Sequence, residues 1–280
     1  MPLRADAHIH LFESGYGHSF AARPGVAINE PTCYDSLRRE HGIEQALVVG
    51  YEMDPWCQQN NQFLSEVAAC CPWARPVASV DPKQPLSLQE LDQLAAAGFV
   101  GLSFYIFEPE HRRDLAAIDD AFWTWLIQRH WLVSANGRGE NWSTWRNVLD
   151  RHPQLRLLIS HLGLPPAVAQ PPDTREALTA MAEVIALAPY PKAHVKLSGF
   201  YALSEPGYDY PHKATWPYVQ LLVDHFGAPR LLWASDFTPH LDCVSFPQTI
   251  GLLAKMPFFS ETDLAMIEGK NLLQLLEKIH

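Results

Sequence analysis

Arg4-Ala5-Asp6-Ala7-His8-Ile9-His10-Leu11-Phe12 alternates apolar and polar side chains almost at the start of the chain. Ala5, Ala7, Ile9 and Leu11 hold one set of positions, and Asp6, His8 and His10 the other. A period of two predicts a strand with both imidazoles on one face. Two strand steps put their Cα atoms about 6.5–7 Å apart. Rings at that spacing can converge on one ion or one substrate oxygen.

Short apolar runs like this one recur along the chain. We read eight strands, at Ala5–His10, Gln45–Gly50, Arg75–Val80, Val100–Tyr105, Trp131–Asn136, Leu155–His161, His194–Gly199 and Arg230–Asp236. Their starts are roughly 25–40 residues apart, room for one helix and two loops per repeat. Helical patterns fall between them at Pro31–His41, Pro55–Cys71, Leu86–Ala97, Asp114–Arg129, Ser143–Arg151, Thr174–Ala188 and His212–Phe226. A further pair follows near Ser245–Lys255 and Glu261–Ile279. Ser87-Leu88-Gln89-Glu90 reads as a capping box, and Gly98 as a helix stop. Strand followed by helix, eight times, predicts an α/β fold of the (β/α)8 TIM-barrel type, a single domain over residues 1–280. An open doubly wound sheet would advertise a glycine-rich phosphate loop, and neither G-x-G-x-x-G nor G-x-x-x-x-G-K-[ST] occurs. The stretches Pro165–Pro172 and Ser204–Pro211 read as βα loops, which in a barrel line the active-site face.

Bulk properties narrow the partners. The net charge of −10 comes without a basic run, which argues against nucleic acid and anionic membrane. No run of 18 apolar residues predicts a membrane span. The N-terminus enters a strand with no basic region before an apolar stretch, so no signal peptide is expected. The five cysteines lack Cys-x-x-Cys spacing and are read as reduced thiols, placing the protein in the cytoplasm. A small molecule is the expected partner, and oligomeric state is not legible.

The polar residues gather when placed on these strands. His8 and His10 end the first, His161 the sixth and Asp236 the eighth, all at the C-terminal rim where barrel active sites are built. With these residues in place, Asp6-Ala7-His8-Ile9-His10, Ile159-Ser160-His161-Leu162-Gly163, Val195-Lys196-Leu197-Ser198-Gly199 and Trp233-Ala234-Ser235-Asp236 resemble the amidohydrolase-related family. Within it the chain is similar to the TIM-barrel hydrolases that include sugar lactonases and 2-pyrone-4,6-dicarboxylate lactonase. The resemblance runs from the first strand to Lys270-Asn271-Leu272.

That resemblance implies roles. Asp236 would be the general base and His161 would orient or polarise the scissile group. His8, His10 and Asp236 would bind a divalent ion, zinc foremost, or the imidazoles would polarise the substrate carbonyl without metal. Metal-dependent members carry another histidine on strand five, where this chain has Asn136. The resembled dicarboxylate lactonases use an arginine on strand four, where this chain has Ser103-Phe104-Tyr105. The implied reaction is opening of a lactone, more a sugar lactone than a dicarboxylate. The alternative is a metal-dependent decarboxylase of the same superfamily acting on an aromatic or unsaturated carboxylate.

For substrate binding we single out Tyr51, Tyr105, Trp142, His240, Asn136 and Arg138 at or beyond strand ends, with Phe107, Tyr201 and Phe237 nearby. Aromatic platforms suit sugar rings, and Arg138 with Asn136 could grip a carboxylate or hydroxyls. Lys196 alternates with Val195 and Leu197 and is read as a buried ion pair with Asp6, deep in the barrel.

Overall fold

The computed structural model describes residues 3–13, 15–16 and 29–279. Eight parallel strands pair in sequence order: β1 (Arg4–Ile9), β2 (Ile43–Val49), β3 (Ala74–Ser79), β4 (Gly101–Ile106), β5 (Leu132–Gly137), β6 (Arg156–Ile159), β7 (Ala193–Leu197) and β8 (Leu231–Trp233). The ring closes between β1 and the residues that follow β8. Ile9 bridges to Phe237, the Asp236 N–H donates to the His8 carbonyl at 2.9 Å, and the His10 N–H donates to the Phe237 carbonyl at 2.6 Å.

The strands read as nearly continuous apolar runs because both their faces are covered, as in parallel sheets generally. On β5, Val133 and Ala135 join the large core between sheet and helices, whereas Leu132 belongs to a second cluster with Ala5, Ala7, Leu47, Val77, Leu158 and Leu232. The last helix, Asn271–Leu276, packs Leu272, Leu275 and Leu276 into that second cluster. Its approach requires Gly269, where a Cβ would lie 2.2 Å from the Leu3 carbonyl oxygen. Asn271 Nδ2 then donates to the Ala228 and Leu231 carbonyls, both at 2.8 Å, tying the end of the chain to β8.

Several elements differ from the pattern-based expectation. The helix expected over Asp114–Arg129 is two, Pro109–Ala117 and Asp120–Gln128. Asp119 starts the second by accepting from the Ala121 N–H at 2.7 Å, and the preceding Ile118 is extended. Pro55–Cys71 contains a 3-10 turn, Pro55–Cys57, and a helix only over Asn60–Cys70. The C-terminal pair is broken by a 3-10 turn at Leu253–Lys255 and a π turn at Met266–Lys270. The capping box at Ser87 and Glu90 is present, opening the helix Leu88–Ala96. Strands β6 and β8 end early, so His161 lies two residues past Ile159 and Asp236 three past Trp233. No helix of the described residues is long and apolar enough to cross a membrane.

Aromatic packing locks the helices to the sheet. Phe104 of β4 meets Phe122, Trp123 and Trp145 at ring centroid distances of 6.4, 6.0 and 5.7 Å. Trp123 is fully buried in this cluster. Trp123→Ala is expected to cost about 3–5 kcal/mol in chemical denaturation. Tyr208→Ser, at a position 72% exposed, is expected to change stability by about 0.5 kcal/mol or less. A Trp123→Ala cost near that of the exposed control would contradict the packing.

Candidate active site

His8 of β1 and His10, one residue past its end, converge as their spacing predicts. His8 Nε2 and His10 Nε2 are 3.0 Å apart, and the ring of His161 lies 4.6 Å from that of His8. Asp6 does not join them. A register irregularity between Asp6 and Ile9 breaks the strict alternation. The Asp6 carboxylate instead accepts from the His8 N–H at 3.2 Å, the Ser235 N–H at 2.9 Å and the Tyr34 hydroxyl at 2.9 Å. Burial pushes this carboxyl up to about 6, against those hydrogen bonds.

Lys196 also departs from expectation. Its Nζ donates to Ser134 Oγ at 2.6 Å and lies 3.2 Å from His8 Nδ1, and no ion pair with Asp6 is present among the described residues. Burial draws the amine down to about 7, opposed by the charges of Asp236 and Asp6.

His161 and Asp236 stand beyond their strands on left-handed backbone, with φ of +53° and +59°. Non-glycine residues rarely adopt this region, at a cost of order 1–3 kcal/mol, and they persist in it where surroundings over-determine them. At Asp236 the constraint is the pairing with His8 across the seam. At His161 it is the loop through Gly163, whose carbonyl accepts from the Trp142 indole N–H at 2.8 Å. Gly199 (φ +69°) makes room for the ring, since a Cβ there would come within 2.8 Å of His161 Nδ1. Ser198 Oγ then sits 2.9 Å from the same nitrogen.

Asp236 Oδ2 accepts from the Tyr201 hydroxyl at 2.8 Å and lies 3.9 Å from His161 Nδ1. Its Oδ1 is 3.8 Å from His8 Nε2 and accepts no hydrogen bond from the described residues. Burial lowers all three imidazoles. His8 falls well below the histidine range and His10 to about 4, while His161 also falls, with the Asp236 charge opposing the shift at His10 and His161. They are therefore neutral at pH 7. Tyr201 is held well above the tyrosine range by burial and by Asp236, so its proton stays on.

His10, His161 and Asp236 open onto a cavity of about 180 Å³. Its walls are aromatic, from Phe12, Tyr16, Tyr51, Trp56, Tyr105 and Tyr201, and Asp54 is its second carboxylate. Among the described residues no lysine or arginine lines it. Tyr51 donates to Asp54 Oδ2 at 2.8 Å and packs edge-on to Tyr105 at 4.9 Å. The buried Glu30 carboxylate holds one side in place, accepting from the Phe12 and Tyr16 N–H groups, both at 2.7 Å, and from the Thr238 hydroxyl at 3.2 Å.

Other residues singled out from the sequence lie elsewhere. Trp142 is buried behind the His161 loop. Arg138 stacks over Phe107 at 5.8 Å along a separate groove between the loops after β5, β6 and β7. His240 is turned inward by the 3-10 turn Pro239–Asp242 and packs on Phe246 with ring centroids 5.8 Å apart, its ring nitrogens unpartnered among the described residues. Phe237 lies between Tyr34 and Phe246. Asn136 is buried with its Nδ2 unpartnered, and it does not line the cavity. Phe12, Tyr16, Asp54, Trp56 and the supporting serines 134, 160 and 198 were not anticipated. The serines carried one signal, a small hydroxyl near the C-terminal ends of three consecutive strands.

The cluster can be tested as a cation site. One atom each from His8, His161 and Asp236 lie within 4.8 Å of one another, a set that could hold a divalent ion. The surroundings fit unevenly. A ligating histidine gives its remote N–H to an acceptor. His10 does so, with Nδ1 at 2.7 Å from the Val49 carbonyl. His8 does not, because its Nδ1 faces the Lys196 amine. A tightly held ion does not fit His8 as it stands.

Comparison with known proteins gives the fold and the family. The chain is 38% identical over 87 residues to an L-fucono-1,5-lactonase of Burkholderia ambifaria, a match covering 31% of this chain and only 28% of that relative. It resembles the crystal structure of a probable 2-pyrone-4,6-dicarboxylic acid hydrolase from Acinetobacter baumannii at a TM-score of 0.75 and 17% identity, over 99% of this chain and 100% of the other. An amidohydrolase from Burkholderia multivorans with bound zinc aligns at a TM-score of 0.76 and 17% identity, over 99% of each chain. At these identities the structural likeness is one of fold. A sequence model of the amidohydrolases matches residues 5–276, from the first strand to the last helix, and the chain belongs to that family.

Proposed function

We propose that the protein opens a neutral, sugar-type lactone by water attack, with Asp236 as general base. The reading rests on one observation above all. Asp236 has one oxygen held by Tyr201 and the other open beside three neutral imidazoles, in an aromatic cavity that no cationic side chain of the described residues lines. Asp236 Oδ1 takes a proton from water as the water oxygen bonds the lactone carbonyl carbon. The His161 imidazole, which lines the cavity, meets the charge that develops on the carbonyl oxygen. The ring C–O bond then breaks, and the protonated Asp236 returns its proton to the leaving alkoxide, giving a hydroxy acid. No serine or cysteine nucleophile is needed, and no step passes through a metal.

Substrate class follows from the walls. Aromatic faces suit the C–H faces of a sugar ring, and Asp54 can accept from its hydroxyls. A dicarboxylate would meet two carboxylates and, among the described residues, no cation, since Arg138 faces another groove. The partial likeness to a lactonase agrees with this reading. The decarboxylase alternative calls for an ion that holds the substrate carboxylate, and the Lys196 amine at His8 disfavours it. The free cysteines agree with a cytoplasmic location.

A pH-indicator assay on a panel of sugar lactones and dicarboxylate pyrones tests the reading. Turnover is expected on the sugar lactones, and a preference for the dicarboxylates would overturn it. Asp236→Asn is expected to lower kcat by about 10²–10⁴-fold with little change in melting temperature. A variant that keeps most of its activity would remove Asp236 from the proposed role.

The acid limb of the rate profile follows from the imidazoles. His161 lies below 6.5 and His10 near 4, so the neutral rings persist as pH falls through 6.5 and are lost only below it. The rate should hold level from about pH 8 to about 6.5, the ordinary histidine value, and decline under that. An acid midpoint at or above it would contradict the neutral-imidazole site. Activity is also expected to survive dialysis against a chelator; its loss, with restoration by zinc or manganese, would call for a metal-dependent mechanism.

A further inference from the structure

Lys196 is the only fully buried lysine among the described residues, and the mechanism above gives it no step. Its Nζ is placed by Ser134 Oγ at 2.6 Å and by His8 Nδ1 at 3.2 Å. Held as an ammonium, the Nζ can only donate, to Ser134 Oγ and to His8 Nδ1, and the Ser160 hydroxyl at 3.4 Å can donate to the same nitrogen. His8 Nδ1 is thereby an acceptor, and the ring hydrogen must sit on Nε2, because the partner of one imidazole nitrogen sets the state of the other. His10 is determined in the opposite sense. Its Nδ1 faces the Val49 carbonyl at 2.7 Å, which can only accept, so His10 Nε2 keeps its lone pair. The 3.0 Å contact between the two Nε2 atoms is then a donation from His8 to His10. Every link in the row runs one way, from Lys196 through His8 and His10 to the backbone of β2.

We propose that Lys196 is a positioning residue that locks His8 in its Nε2–H tautomer. It thereby makes the histidine pair a hydrogen-bond relay rather than a chelating pair, and sets the low metal preference of this chain. The inference rests on the site described above, and its readouts do not use lactone turnover. An inactive enzyme would therefore leave it standing, and its failure would leave the substrate reading intact.

Histidine-labelled protein tests the first half. In long-range proton–nitrogen correlation spectra without metal, with His8 assigned by comparison with His8→Gln, His8 is expected with a protonated Nε2 and a bare Nδ1, and His10 as its mirror image. A protonated Nδ1 on His8 would overturn the proposal. Zinc titration by competition with a fluorescent chelator tests the second half. Lys196→Met is expected to bind zinc about tenfold or more tighter than the parent, the lower end of the range by which outer-shell partners alter metal affinity. Ser134→Ala, which keeps the amine, is expected to bind zinc like the parent. Equal or weaker zinc binding by Lys196→Met would overturn the proposal. Should that variant fail to fold, Lys196→Gln makes the same test, because its amide oxygen can accept from Nδ1. Tighter zinc binding supports the lock, and unchanged binding overturns it.

Discussion

Closure of the barrel between its first strand and the residues after its last is the constraint on which the site depends. Regular strand pairing in β8 ends at Trp233, yet the chain continues against β1 through Ser235, Asp236 and Phe237. The bonds that shut the ring are also the bonds that seat Asp236 next to His8. Asp6 sits at the centre of this seam with three donors on its carboxylate. Its upward shift reflects how strongly burial opposes a charge there, even so well satisfied. The left-handed conformation of Asp236 would be an unfavourable choice in an open loop. Pinned to β1 on one side and followed by the turn around Pro239, it becomes part of the frame.

Much of this was legible in the chain because periodicity reports burial. All eight strands, and the rim positions of His8, His10, His161 and Asp236, follow from apolar runs and what ends them. The errors have local causes. Asp119 restarts a helix with a single side-chain bond, and a continuous apolar pattern on either side hides the break. The irregularity after Asp6 turns its carboxylate toward Tyr34, which a strict period of two cannot foresee. Trp142 and His240 lie near strand ends, but a residue's distance from a rim does not state which way its ring points. Glu30 holds Phe12 and Tyr16 through backbone N–H groups, a contact with no pattern in sequence.

The cavity combines two environments that would conflict if they were mixed. Its floor is a set of neutral imidazoles around one carboxylate, supported by hydroxyls of Ser134, Ser160 and Ser198. Its walls are phenol and indole rings whose protons stay in place, as burial keeps Tyr51, Tyr105 and Tyr201 above the usual tyrosine range. Such a chamber offers dipoles and flat apolar faces, with Asp54 and Asp236 as the carboxylates among its described lining residues. On the proposed reading, shape and hydroxyl placement would select the substrate more than charge pairing would, with both carboxylates opposing an anionic ligand.

The seam also orders events during biosynthesis. Ser235 and Asp6, which bond across it, stand 229 positions apart, so a nascent chain emerges with its first strand unpaired on one edge until nearly all of it has left the ribosome. Residues with such distant partners must wait, since contacts of long sequence separation cannot form until both ends exist. The Asp236 carboxylate is therefore among the last groups to be set in place, because its seat against β1 exists only once both ends of the seam have been made.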